Sequence, residues 1–146
     1  MGRVKLKFPD ENPLFTCTIP IRVGDLNYGN HVGNDSILSI VHEARMQMLH
    51  DQGYSEMDAA GVGLIMADVM IAYKGESFYG DILAIKIYAE ELTGYSFDLL
   101  YRISASRNNN ITDIAHAKTG MVCFDYSSRK IAAMPEKLKV LLEGDK

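Results

Sequence analysis

Apolar and polar positions alternate from Phe15 to Val23. Phe15, Cys17, Ile19, Ile21 and Val23 fall on one side; Thr16, Thr18, Pro20 and Arg22 fall on the other. A period of two is that of a strand with one buried face. Pro20 offers no N–H to a ladder, which predicts an edge position. From about Ser36 to Gln52 the period becomes helical. Ile37, Leu38, Ile40, Val41, Ala44, Met48 and Leu49 recur together, with Ser39, Glu43, Met46 and His50 opposite. Asn34 or Asp35 is the expected N-cap and Gly53 the stop. Four strand patterns follow. Val62 to Lys74 is apolar on both faces, as in a fully covered strand. Ile82 to Leu92 opens after Gly80-Asp81. Tyr95 to Ser106 keeps Tyr95, Phe97, Leu99, Tyr101, Ile103 and Ala105 on one side. Ile111 to Tyr126 comes after a turn at Asn108-Asn109-Asn110. Pro135 then starts a short helix carrying Leu138, Leu141 and Leu142 on one face.

One strand, one long apolar helix and four consecutive strands make an α+β pattern. Short links between consecutive strands favour antiparallel pairing. A helix this apolar needs cover on most of its sides. A curved antiparallel sheet wrapped around it would supply that cover. The 146 residues form one expected domain, 1–146, without repeat or linker.

Composition narrows the function classes. A net charge of -4 gives no basic face for nucleic acid. Acidic ligands would have to meet local basic residues. No run approaches the roughly 20 apolar residues of a membrane span. Met1 to Phe8 is basic but lacks the apolar core of a signal peptide. Cys17 and Cys123 sit far apart in strand patterns, as reduced packing residues of a cytoplasmic protein would. Neither they nor the 4 histidines have a zinc-ligand spacing, so no metal and no separate cofactor is expected.

Between the first strand and the helix lies Gly24-Asp25-Leu26-Asn27-Tyr28-Gly29-Asn30-His31-Val32-Gly33-Asn34. Its glycines and asparagines permit unusual backbone angles, and polar loops of this kind often carry function. The stretch from Arg22 to Asn34 resembles the loop of acyl thioesterases related to 4-hydroxybenzoyl-CoA thioesterase, which have the hotdog fold. Their usual pattern is Asp-x-Asp, then Gly-His-Val-Asn-Asn or a related turn, then the long helix. His42-Glu43-Ala44-Arg45 is similar to the Glu-x-Ala-Arg often found inside that helix. Ile71-Ala72-Tyr73 and Gly80-Asp81-Ile82-Leu83 resemble the paired strands that follow. The likeness covers roughly residues 13 to 142.

The resemblance implies hydrolysis of an acyl thioester, from coenzyme A or an acyl carrier, at the interface of a homodimer or of a tetramer built from dimers. Coenzyme A then enters as part of the substrate. One position departs from the pattern: the second Asp of Asp-x-Asp is Asn27, and Asp25 matches the first. An amide is neither a general base nor a carboxylate nucleophile. Asp25, Asp35 and Glu43 are the nearby carboxylates left for that role. His31 could act as base or donor, Asn27 could orient water or the carbonyl, and amides opening the helix could hold the oxyanion. Asn34 and Tyr73 are the expected substrate contacts beside them, and Arg129 and Lys130 the first candidates for the phosphates, with Lys74 another.

Each has a structural alternative. Asp25 would close the loop, Asp35 would favour the helix dipole, and Glu43 would pair with Gln47. His42, His50 and His116 read as structural. Asp68, interrupting an apolar strand, must lie at an interface or be hydrogen-bonded. Two other functions stay open. Gly24-Asp25-Leu26-Asn27 with His31 resembles the Asp-x-Asn-Pro-x-His loop of hotdog enoyl-CoA hydratases, without its proline and with one extra residue before the histidine. A non-catalytic acyl-CoA or acyl-carrier binding module on the same scaffold is the other.

Overall fold

A computed structural model describes residues 3–144. Its elements follow the predicted order. β1 (Phe15–Pro20) leads through a 3-10 turn (Val23–Asp25) and a loop into α1 (Asn34–Asp51). Then come β2 (Gly63–Tyr73), β3 (Ile82–Glu90), β4 (Ser96–Arg107), β5 (Asn110–Asp125), the short β6 (Lys130–Ile131) and α2 (Glu136–Glu143). All pairings are antiparallel, in the order β1-β3-β4-β5-β2, with β6 on β5. The class is α+β, and β1, with its Pro20, is an edge strand as expected.

One face of this sheet holds the core. Leu83, Ile85 and Ile87 of β3, Phe97, Leu99, Tyr101 and Ile103 of β4, and Ala115, Ala117, Met121 and Cys123 of β5 are all buried. Period-two placement puts them on one side. Ile37, Ile40, Val41, Ala44, Met48 and Leu49 of α1 join the same cluster. Each large apolar side chain buried this way contributes about 1.5–3 kcal/mol. The helix ends where Gly53 takes the left-handed conformation at φ 76°, with its N–H on the His50 carbonyl. The β4–β5 hairpin turns on Asn108 and Asn109, at φ 49° and 66°. Positive φ at both central residues suits the twist of a two-residue hairpin, and asparagine tolerates it.

Three expectations need correction. The N-cap of α1 is Gly33, in extended conformation, so Asn34 and Asp35 are already helical and neither caps it. Val23 leaves the β1 pattern because the chain turns there into the 3-10 segment; it is 71% exposed. β2 is apolar on both faces but uncovered in the single chain. It lies at the sheet's second edge, and Met66, Val69, Met70 and Tyr73 are exposed. Its bulge between Met66 and Asp68 is pinned by Asp68, which accepts from Gly120 N–H at 3.0 Å and Lys118 Nζ at 2.9 Å. Those bonds hold the Asp68 carboxyl below its usual range, the lysine contributing most. The helix likewise shows solvent an exposed side with Leu38, His42, Glu43, Met46 and His50.

Candidate active site

The polar loop is a small hairpin. Leu26 bridges Val32, Asn27 N–H donates to the His31 carbonyl at 2.9 Å, and Asn30 N–H donates to the Asn27 carbonyl at 3.0 Å. The turn residue with left-handed backbone is Asn30, at φ 64°, rather than a glycine. The Asn27 side chain closes the turn by accepting from Gly29 N–H at 2.8 Å. Gly33 is needed for proximity instead. A β-carbon there would stand 2.6 Å from Asp35 Oδ1 and 3.7 Å from Asn27 Cβ. One on Gly29 would stand 3.2 Å from Asn27 Oδ1 and 3.4 Å from His31 Nε2. Asn27 and Asp35 therefore both border Gly33, and Asn27 and His31 both border Gly29.

The polar groups of this cluster are only partly engaged. His31 Nδ1 lies 3.2 Å from the Val32 carbonyl. A carbonyl only accepts, so Nδ1 carries the hydrogen and Nε2 of the neutral ring is an acceptor. Asp35 is exposed and, among the described residues, has no hydrogen-bond or ion-pair partner. It belongs to the first turn of α1, at the positive end of the helix dipole, where Ser36 N–H donates to the Gly33 carbonyl at 3.0 Å and the amides of Asn34 and Asp35 have no carbonyl partner among the described residues. Tyr73, at the end of β2, donates its hydroxyl to the Asn34 carbonyl at 3.2 Å and so joins the strand to that turn. Lys74 follows it and is exposed.

The other two carboxylates lie outside the cluster. Asp25 is buried and engaged by Arg22: its carboxylate accepts the Arg22 backbone N–H at 2.8 Å and the guanidinium at 3.2 and 3.4 Å. It closes the 3-10 turn. Glu43 is exposed and accepts from Gln47 at 2.9 Å. Arg129 ends the β5–β6 turn and Lys130 begins β6. Gly63 pairs with Phe124 at that end, whereas Tyr73 pairs with Ala115 at the other. Ten residue steps of strand separate the two ends, about 33 Å. Within one chain, Arg129 and Lys130 are not near the loop.

A second loop, between β2 and β3, packs on the first. Val32 N–H donates to the Ser77 carbonyl at 2.8 Å, and His31 bridges Phe78. Asp81 organises this loop, accepting from Ser77 Oγ and Phe78 N–H, both at 2.9 Å. Arg107 of β4 completes it, donating to Asp81 at 2.6 Å and to the Glu76 carbonyl at 2.7 Å. Its guanidinium sits 5.3 Å from the centre of the Phe78 ring. The Arg107 bond holds the Asp81 carboxyl down at about 2. A carboxyl depressed on folding stabilises the fold above its unfolded range, and that stability is lost as pH falls through about 2. The Gly80-Asp81 turn was visible in the sequence. Its arginine partner, far along the chain in β4, left no local signal.

A cleft of about 780 Å³ opens elsewhere, beside the N-terminal segment and α2, with Pro9, Glu11, Tyr88, Val140 and Glu143 in its wall. It contains none of the candidate residues, and its carboxylates would repel phosphate.

An antiparallel sheet with a long helix on one face, and a glycine-bordered polar loop opening that helix, are what acyl-thioester hydrolases of the hotdog kind have. Residues 21–142 match the family model of the thioesterase-like superfamily, and the chain belongs to that family. It is a thioester hydrolase. The long-chain acyl-CoA thioesterase FadM of Escherichia coli is 26% identical over 126 residues, covering 86% of this chain and 94% of that one. The 1,4-dihydroxy-2-naphthoyl-CoA hydrolase of Synechococcus elongatus is 29% identical over 127 residues, covering 84% and 90%. The crystal structure of a 1,4-dihydroxy-2-naphthoyl-CoA thioesterase from Synechocystis superposes with a TM-score of 0.78 at 21% identity, covering 88% of this chain and 94% of that one.

Proposed function

We propose that the enzyme hydrolyses an acyl-CoA at the loop–helix junction, with Asp35 supplying the carboxylate that the family's pattern has at position 27. That Asn27 borders Gly33 with Asp35 and Gly29 with His31, at the entry to α1, carries this reading. Asp35 takes a proton from water as the water attacks the thioester carbonyl. The oxygen, gaining charge, is held by first-turn amides of α1. The tetrahedral intermediate collapses, the C–S bond breaks, and the thiolate leaves. His31 Nε2 accepts a hydrogen bond from the attacking water, and the Asn27 side-chain amide N–H donates to the thioester carbonyl. No metal enters this chemistry.

The apolar edge of β2 supports a homodimer. An unpaired edge invites a second strand, and two antiparallel copies of β2 would satisfy each other about a two-fold axis. Such a pair would bring the partner's Arg129 and the partner's Lys130 beside Tyr73 and Lys74 of this chain, where coenzyme A phosphates would meet them. Light scattering at micromolar concentration should therefore give twice the 16.3 kDa chain mass or a multiple of that dimer. A dominant monomer would exclude it.

Release of free thiol from a panel of long-chain and aromatic acyl-CoAs tests the function. Turnover of at least one class is expected. Binding without turnover across the panel would favour the non-catalytic module, and hydration of an enoyl-CoA without thiol release would favour the hydratase.

A further inference from the structure

We infer that Arg107 is a positioning residue for the thioesterase site: from β4 it fixes the β2–β3 loop, and that loop holds the backbone of His31 and Val32. The inference rests on the loop–helix junction being the site.

The chain of contacts is continuous. Arg107 spans two groups of one loop, Asp81 and the Glu76 carbonyl, at 2.6 and 2.7 Å. Asp81 fixes the residues between them through Ser77 Oγ and Phe78 N–H. Ser77 is buried, and its carbonyl takes the Val32 amide at 2.8 Å. Phe78, bridged to His31, has the guanidinium packed against its ring. A forked guanidinium can satisfy a carboxylate and a carbonyl together, whereas an ammonium is a compact charge without that fork. Arg107, Asp81, Ser77 and Phe78 take no part in the chemistry itself. Their effect is to set where His31 and, across Gly33, the first turn of α1 stand. Catalytic geometry tolerates little displacement: about 1 Å can cost 10²-fold.

Arg107→Ala and Arg107→Lys test this beside Arg102→Ala. Arg102 is also on β4 and pairs with Asp113 at 3.3 Å, on the side of the sheet where Phe8 lies. Two quantities are read: steady-state thiol release from an acyl-CoA, and hydrogen exchange of the Val32 amide. Arg107→Ala should lower kcat about 10- to 100-fold with KM within about threefold, and speed Val32 exchange about tenfold or more. Arg107→Lys, which keeps a charge for Asp81, should recover part of both and serves if the alanine variant does not fold. Arg102→Ala should change neither. Unchanged Val32 exchange in both folded Arg107 variants would overturn the tether while leaving the site's location standing. Faster exchange with unchanged kcat would overturn the inference together with that location.

Discussion

Asp35→Asn should lower kcat about 10²- to 10⁴-fold while leaving KM and melting temperature nearly unchanged, since that is the range a general base contributes. Asparagine keeps the size of the side chain and its place in the first turn. Loss of the charge from the helix N-terminus costs only about 0.3–1 kcal/mol. Asp35 is the carboxylate in the Asn27–His31 cluster, and it is free of partners among the described residues. Glu43→Gln should stay within about threefold of wild type, because Glu43 is exposed and bonded to Gln47. Asp25→Asn should act on stability, because Asp25 closes the 3-10 turn on Arg22. Asn27→Asp adds a second negative group beside Asp35. Two like charges in one place disfavour each other, so turnover should fall. A large gain in turnover from Asn27→Asp would mean that the carboxylate works best at position 27, as in the family's pattern. A wild-type rate in Asp35→Asn with a collapse in Glu43→Gln would move the base to Glu43.

The largest effect on stability is expected at Arg45. Its side chain is 4% exposed, and Nε has no hydrogen-bond partner. Nη1 donates to Tyr101 Oη at 3.2 Å, Tyr101 Oη meets Thr119 Oγ1 at 2.8 Å, and Glu56 stands 3.6 Å from Nε. Glu56 is shared with His42, whose Nε2 is 2.6 Å away. Arg45→Ala removes a long buried side chain and leaves a cavity under α1, at about 3 kcal/mol. For a chain of this size the melting temperature should fall by about 6–12 °C. Tyr101 keeps Thr119, so its hydroxyl is not orphaned. Arg45→Met keeps most of the volume and removes the cost of burying a charge, so it should lose less than about 1.5 kcal/mol. Thermal unfolding of both variants decides between these contributions. A methionine variant as unstable as the alanine one would show that the charge, and not the packing, holds this part of the core.

Strand and helix periods were legible because burial on one face dictates them. The five long strands and α1 end within a few residues of their expected bounds, and Asn108-Asn109 turns where it should. Asp68 is hydrogen-bonded, one of the two outcomes its position allowed. The misses share a physical origin. The burial of Arg45 left no local signal, because it depends on Glu56 beyond the helix and on Tyr101 of β4. β2 looked covered because both of its faces are apolar, yet among the described residues no strand pairs beyond that edge. At the site, loop residues 27 to 35 were legible as a candidate from composition. Which carboxylate stands with Asn27 was not, because helix phase alone does not say that Glu43 is held by Gln47 while Asp35 turns back over Gly33. The Asp81–Arg107 hub depends on a pairing across the sheet that neither residue announces.

Binding of a non-hydrolysable thioether analogue of an acyl-CoA, followed by amide chemical shifts, tests the site most directly and needs no turnover. The amides of Asn27, His31 and Gly33–Ser36 and that of Tyr73 should shift in a saturable way, while those of Glu11, Tyr88 and Val140 stay fixed. Saturable shifts confined to the cleft beside α2, with the loop and the first turn of α1 unmoved, would contradict the account.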